Sequence, residues 1–571
     1  MINQEIARAF SEIADMLELK GENPFRIRAY RRAAQNLEAL SKDVTELTED
    51  ELLKIPGIGK DLASKIREYI DTGNIAQLNE LKKEIPQGLL EILLVPGVGP
   101  KTAKTVYEKL GISSVDELEQ ACREGLLQGI PGIRKKTEDN ILKGIAMLKR
   151  GRERMPLGKA RPLAEAILEE LKGLRAVKKI EIAGSLRRWK ETVKDIDILV
   201  TSSDPMKVMN TFVKLPNVEE VLLKGPTKSS VILKEGIQVD LRVVEEDCFG
   251  AALQYFTGSK AHNIKIREMA MKLGLKINEY GVFREKDNKK IAGTTEEEVY
   301  KAIGLPFIPP EIREDLGEVE AALSGQLPRL VELGDIKGDL HVHSRWSDGS
   351  HSIEEVARAA QALGYEYIAI TDHSKGLGVA GGLGEEDILK EKKEVEELNK
   401  KLKGFRVFMG VEVDIRSNGE LDFDEDILKR LDFVVASIHS GFRQSKRQLT
   451  DRLLSAIKCP YVRVIAHPTG RILGEREEYD VDMEEIMKAA KKYKKALEIN
   501  AYPLRLDLSD RYVRMAKDMG IPIIISTDTH MTEQFRFMQY GVAIARRAWL
   551  EKEDILNTRG LKEFMKYLGI K

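Results

Sequence analysis

The chain has 571 residues, which at roughly 100–200 residues per domain predicts about three to five domains. Apolar residues make up 42%, enough for several cores and too many for a disordered chain, while 92 basic against 93 acidic residues give a net charge of −1, so any nucleic-acid partner must be met by local clusters of charge. Cys122, Cys248 and Cys459 are too few and too scattered for a disulfide framework or a zinc ribbon, and no apolar run approaches the roughly 18 residues of a membrane span, so a cytoplasmic protein is expected.

Residues 1–150 read as short helices separated by glycine turns. Ile6, Phe10, Ile13 and Leu17 recur at helical spacing, and Glu5 and Arg8 among the first ten residues argue against a secretory signal. One pattern occurs three times: Ile55-Pro56-Gly57-Ile58-Gly59, Val95-Pro96-Gly97-Val98-Gly99 and Ile130-Pro131-Gly132-Ile133-Arg134. Each precedes a basic helix-forming run, with Lys60 or Lys101 close behind the first two. Such turns aim backbone N–H groups outward at the positive end of a helix, where a phosphate fits without any base being read. They resemble the helix–hairpin–helix family, which implies duplex binding through Gly57, Gly59, Gly97, Gly99, Lys60 and Lys101. Arg134 departs from the pattern in the third copy.

Residues 151–317 add strands. Ile180-Glu181-Ile182-Ala183 runs into Gly184-Ser185, followed by Arg187-Arg188 and then Asp195-Ile196-Asp197. Asp195 and Asp197, two apart on a strand, point to one face. Asp240 lies on a second strand of a hairpin that turns at Glu235-Gly236. Three neighbouring carboxylates repel unless a cation sits among them, and hard oxygen ligands suit Mg²⁺ or Mn²⁺. Gly184, Ser185 and Arg188 suit a triphosphate held by backbone, hydroxyl and guanidinium groups. Downstream come Tyr255-Phe256-Thr257-Gly258-Ser259, then Asn263 and Arg267 at helical spacing.

Gly-Ser-x-Arg-Arg, Asp-x-Asp, the third Asp and Tyr-Phe-Thr-Gly-Ser, continued by Asn278-Glu279-Tyr280, resemble the family X DNA polymerases in residue type and order. The resemblance implies that Asp195, Asp197 and Asp240 hold the metals and that Asp240 also activates the primer 3′-hydroxyl. It places Gly184, Ser185, Arg188 and Gly258 at the incoming nucleotide, with Tyr255 and Phe256 packing its sugar. Asn263 would meet the minor-groove edge of its base and Arg267 the template side. His262 reads as a helix residue. The first segment is similar to the same family's lyase domain, which implies a Schiff-base role for Lys65 with Tyr30 nearby; Asp61 stands where a second lysine is usual and Phe25 where a histidine is usual.

The stretch from Pro306 to Leu333, with Pro309-Pro310 and further Gly/Pro punctuation, reads as a linker, drawn most narrowly at 318–335. From residue 336 apolar strands alternate with charged helices, which predicts a parallel α/β domain to residue 571. Seven of the eight histidines fall after residue 338. His341-x-His343 leads into Asp348, and His373, Glu412, His439, His467 and Asp528-x-His530 each follow an apolar run, as residues at the carboxyl edge of parallel strands do. Nine nitrogen and oxygen ligands without cysteine suffice for two or three ions of Mn²⁺, Zn²⁺ or Fe²⁺. Arg345 and Lys375 are placed to hold a substrate phosphate. Gly376-x-Gly378-x-x-Gly381 formally fits a dinucleotide fingerprint, but His373 between strand and glycines makes it a loop over the site.

The histidine arrangement looks like the PHP family, whose fold is a distorted seven-stranded α/β barrel with a trinuclear site. The implied whole is multidomain: an all-α helix–hairpin–helix region (1–150), an α+β nucleotidyltransferase palm (151–245) with a nucleotide-selecting thumb (246–317), a linker (318–335) and a C-terminal distorted (β/α)₇ PHP barrel (336–571). It would be a monomeric gap-filling repair polymerase acting in base excision repair on gapped or nicked duplex DNA with dNTPs, whose PHP domain is a 3′–5′ exonuclease and AP endonuclease. Two alternatives stand beside it: a PHP domain acting as phosphatase or pyrophosphatase, and a DNA-binding scaffold with structural metals.

Overall fold

The computed structural model describes residues 2–38, 44–55, 57–93, 95, 98–130, 135, 137–139, 141–142, 144–145, 154–377 and 380–570, which form two compact units, Met1–Glu153 and Arg154–Lys571. Pro56, Pro96, Gly97, the turn 131–134 of the third repeat and Gly378 lie outside these residues.

The first unit is helical. Ile6, Phe10, Ile13 and Leu17 line the buried face of the helix Ile2–Lys20, and Ile55, Ile58, Val95 and Val98 of the repeated turns plug the same core. Gly59 and Gly99 are the N-caps of the helices Lys60–Thr72 and Pro100–Leu110, and neither cap carries a side-chain hydrogen bond. The first-turn amides therefore keep their donors for something else. Gly57 sits at φ +83°, where an L side chain is strained.

The second unit begins with a five-stranded sheet in the order Val177–Ile182, Asp195–Ser202, Gln238–Val243, Lys228–Leu233, Val218–Lys224. The carboxylate strands Asp195–Ser202 and Gln238–Val243 run parallel, and their register sets Asp197 directly opposite Asp240. Helices Phe249–Thr257 and Lys260–Lys272 follow, with a three-stranded antiparallel sheet over 275–292.

Seven parallel strands from Gly338–Val342 to Ile523–Ser526 then pair in strict chain order. A parallel bridge from Val342 to Thr529, with the His343 amide donating to the Thr529 carbonyl at 2.8 Å, brings the first strand back to the end of the last, so the barrel is nearly closed. Phe564 of the helix Leu561–Leu568 stacks on Tyr367 at 4.7 Å. The palm and the barrel share one apolar cluster running from Leu157 to Ile555.

The stretch expected to be a linker is packed structure. It contains the helix Glu318–Leu323; Val319, Ala322 and Leu330 are buried in one cluster with Trp549, and the Val331 amide donates to the Leu550 carbonyl at 3.0 Å. Proline and glycine there turn the chain without freeing it, because the apolar residues between them have a surface to cover.

Candidate active sites

At the palm, the strand Val177–Ile182 is followed after Ala183 by Gly184, which at φ +64° turns the chain into Ser185. A Cβ on Gly184 would come within 2.5 Å of an Asp197 carboxyl oxygen, so only glycine lets the backbone pass this close. Burial first, and then the charges of Asp195 and Asp240, push Asp197 up to about 7. Burial and Asp240 likewise raise Asp195. Burial also acts to raise Asp240, but bonds from Lys228, Gln238 and Ser230 outweigh it and hold that group below the usual range, with Lys228 Nζ at 2.6 Å. Two carboxylates that crowd each other and a third that draws in a lysine form an oxygen-rich, cation-seeking site.

Arg188 is largely buried; its Nε donates to Glu314 at 3.0 Å, and its Nη1 bonds the Thr257 carbonyl. Arg187 makes a bidentate pair with Glu296, at 2.9 and 2.6 Å. The Tyr255 and Phe256 rings stand edge to face at 5.1 Å. Asn263 is fixed by Gln254 and by the Tyr255 carbonyl, both at 2.7 Å, and Arg267 Nε donates to the Asn263 carbonyl at 3.0 Å. His262 is fully buried between Glu318 (2.6 Å) and Tyr300 (2.9 Å), a structural position. In the first unit, Lys65 pairs with Asp61 and the Tyr30 hydroxyl donates to Gln77 at 2.7 Å.

In the barrel all nine candidate ligands converge. Among the described residues, three groups bring their ligand atoms within 4.8 Å of one another: His343, Asp348, His373 and His530; His341, His343 and Asp528; and His373, Glu412 and His439. His467 Nε2 joins them at 3.0 Å from Glu412. Among the described residues, the buried His343 Nδ1 and His467 Nδ1 have no hydrogen-bond partner, while His373 Nδ1 and His341 Nε2 crowd Glu412 Oε2 at 2.9 and 3.3 Å without well-aligned hydrogen bonds. A buried polar atom left without a partner costs about 1–3 kcal/mol, and divalent cations would remove that cost and separate the crowded atoms, so the donor set fits metal. Burial and the neighbouring His530 and His373 push His343 down to about 4, leaving it neutral and able to ligate. Glu412 and Asp528 stay well below the carboxylate range despite burial, through His439 and His341 respectively.

Several residues that matter here were not anticipated from the sequence. Glu498 accepts from His341 Nδ1 at 2.8 Å and so turns Nε2 toward the cluster, the carboxylate–histidine arrangement that orients metal ligands. Asp414 stands 3.4 Å from His439 Nδ1 in the same way. Arg345 faces Glu355 and Lys375 faces Glu385, both largely exposed, whereas Arg505 lies 3.6 Å from Asp528 of the cluster. Glu498 carried a signal, a charged residue inside the apolar run Ala496–Asn500; Arg505 carried none.

A polymerase-type carboxylate sheet packed through one apolar cluster with a barrel that gathers nine candidate ligands defines a DNA-polymerase-like protein joined to a metal-dependent phosphoesterase. Family models match accordingly: the helix-hairpin-helix domain over 1–75, a SAM-like helix-hairpin-helix tandem over 89–146, the DNA polymerase beta thumb over 252–314 and the PHP domain over 339–502. The DNA polymerase/3′-5′ exonuclease PolX of Bacillus subtilis (strain 168) is 42% identical over 570 residues, covering 100% of this chain and 99% of that one. A probable phosphatase of Thermoanaerobacter sp. (strain X514) is 32% identical over 244 residues, 40% of this chain and 94% of that one. DNA polymerase lambda of Rattus norvegicus is 25% identical over 343 residues, 55% and 56% of the two chains. The chain belongs to the family X DNA polymerases that carry a PHP domain.

Proposed function

We propose that this chain fills short gaps in duplex DNA from dNTPs during repair, base excision repair included, and that its PHP barrel removes nucleotides from 3′ ends and cuts at abasic sites. The observation that carries the polymerase reading is the register that sets Asp197 opposite Asp240, with Gly184 turning close against Asp197. Divalent ions, Mg²⁺ or Mn²⁺ at the palm and two or three of Mn²⁺, Zn²⁺ or Fe²⁺ in the barrel, would neutralise phosphate oxygens and acidify the attacking hydroxyl or water.

Asp195, Asp197 and Asp240 would hold the palm ions, and Asp240 Oδ, now paired with Lys228, receives the primer 3′-hydroxyl proton. The amides and hydroxyl at Gly184 and Ser185 grip the triphosphate, and Arg188 reaches it by leaving Glu314. Tyr255, Phe256 and Gly258 pack the sugar, while Asn263 and Arg267 meet base and template. The turns at Gly57, Gly59 and Gly99, with Lys60 and Lys101, hold duplex phosphates. In the barrel the nine ligands would hold the ions, and Arg505 receives the substrate phosphate. Ion pairing with Asp61 leaves Lys65 poorly placed for imine chemistry, so no lyase step is assigned to it.

The phosphatase reading draws support from the probable-phosphatase relative, which matches over 40% of the chain. A primer on gapped duplex in Mn²⁺ separates the two: shortening of the strand without dNTPs supports the exonuclease, and loss of pyrophosphate with ends untouched supports the phosphatase.

A further inference from the structure

Where the palm meets the barrel, within the second unit, there is a cavity of about 350 Å³, near the lower end of the roughly 300–1,000 Å³ typical of small-molecule sites and enough for about one nucleotide. The palm supplies one wall from the helix Leu157–Lys172, through Gly158, Lys159 and Glu165. The barrel supplies the other from the turn after the strand Ala496–Asn500 and from the segment after Ile523–Ser526, through Tyr502, Arg536 and Phe537. Those strands also end at the ligand cluster. The Tyr502 amide donates to Asn500 Oδ1 and Asn500 Nδ2 donates to Asp528, both at 3.1 Å, while Arg505, beside Asp528, closes the same turn by donating its amide to the Tyr502 carbonyl at 2.7 Å.

The walls are built against each other. A Cβ on Gly158 would overlap Pro503, and Arg471 of the barrel makes a bidentate pair with Glu191 of the palm, at 2.6 and 3.1 Å. The lining has a definite chemistry. Tyr502 and Phe537 are half-buried and stand edge to face at 5.6 Å, and the Arg536 guanidinium lies 5.7 Å from the Phe537 ring centre. Glu165 is taken by Arg161 at 2.7 Å. Among the described residues neither Lys159 nor Arg536 has a carboxylate partner, and both are exposed. Half-buried aromatic rings beside two cations without a carboxylate partner make up the combination by which proteins hold single-stranded nucleic acid without reading its sequence.

We propose that this seam is a binding subsite for one nucleotide of the single strand being shortened, with a base stacked on Tyr502 or Phe537 and a phosphate held by Lys159 and Arg536. The inference rests on the exonuclease reading of the barrel and deepens it: part of the exonuclease substrate site is made by the polymerase palm.

The test uses the full chain in Mn²⁺ with two substrates, a short 5′-labelled single strand and the small diester bis(p-nitrophenyl) phosphate, which carries no second nucleotide for the seam. The double variant Lys159→Ala/Arg536→Ala changes two exposed side chains and so keeps the fold; Phe537→Leu keeps apolar volume and removes the stacking face. Each is expected to raise KM for strand shortening, relative to KM for the small diester, roughly tenfold. An unchanged ratio in both, or rates on both substrates falling in step, overturns the subsite. A wild-type chain that hydrolyses the diester but leaves the strand intact removes the exonuclease reading itself, a result the variants cannot mimic.

Discussion

Arg188 of the palm and Arg547 of the barrel share one carboxylate oxygen. Glu314 Oε1 accepts from Arg188 Nε at 3.0 Å and from Arg547 Nη1 at 3.1 Å, and Arg547 Nη1 also donates to the Arg188 carbonyl at 2.7 Å. Arg547 is nearly fully buried and pairs with Asp510 at 2.7 Å as well. The side chain proposed to meet the triphosphate is thus held by a partner that the barrel also grips.

Removing Arg547 leaves Asp510 and Glu314 short of a buried cation. Arg547→Ala should cost about 3–5 kcal/mol of stability in the second unit, read as a lower urea midpoint. It should also change KM for dNTP more than KM for strand shortening, because Glu314 then no longer shares its oxygen between Arg188 and Arg547 and the Arg188 carbonyl loses its donor. Equal changes in both constants would mean the shared carboxylate is structural and nothing more.

Asp197→Ala should reduce primer extension by roughly a thousandfold or more, since several kcal/mol of charge stabilisation depend on that position and each 1.36 kcal/mol is a factor of ten. Strand shortening by the same variant should stay near wild type. Steady-state rates in Mn²⁺, with and without dNTPs, check both halves.

Glu498 touches His341 and none of the proposed substrate. Glu498→Gln keeps the shape and weakens the acceptor that orients His341, so Mn²⁺ affinity of the barrel, read by calorimetric titration of chelator-treated protein, should fall about 10–100-fold. Wild-type affinity in that variant would remove the orienting role.

The pair His262–Glu318 makes stability depend on pH in a stated direction. Burial lowers His262 below its ordinary 6.5, more than Glu318 offsets, and the bond from His262 keeps Glu318 below 4.5 in spite of burial. In the fold a neutral imidazole therefore faces a carboxylate. Below 6.5 the unfolded chain takes up a proton at His262 that the folded chain refuses, and near 4.5 the same holds at Glu318. Both contributions are complete above pH 6.5 and are lost on acidification. His262→Gln should flatten the fall in urea midpoint between neutral pH and pH 5; the same slope as wild type would contradict the assignment.

Period-two pairs such as Asp195-x-Asp197 and His341-x-His343 were legible because a strand puts alternate residues on one face, and the order of apolar strands gave the barrel. The register of Asp197 against Asp240 was not legible, since it is set by pairing between strands some forty residues apart. The segment 318–335 was misread because its prolines and glycines speak louder in sequence than Val319, Ala322 and Leu330, whose burial depends on distant partners such as Trp549. Arg505 and the aromatic seam lie in irregular turns with no periodicity, and only the fold brings them beside Asp528.

The central claim is that one chain both extends and shortens DNA at separate sites. The direct test follows a 5′-labelled primer on gapped duplex in Mn²⁺, with and without dNTPs, in wild type, Asp197→Ala and His341→Ala. Extension with dNTPs lost in Asp197→Ala alone, and shortening without them lost in His341→Ala alone, is the expected result. A primer of unchanged length under every condition would contradict the account.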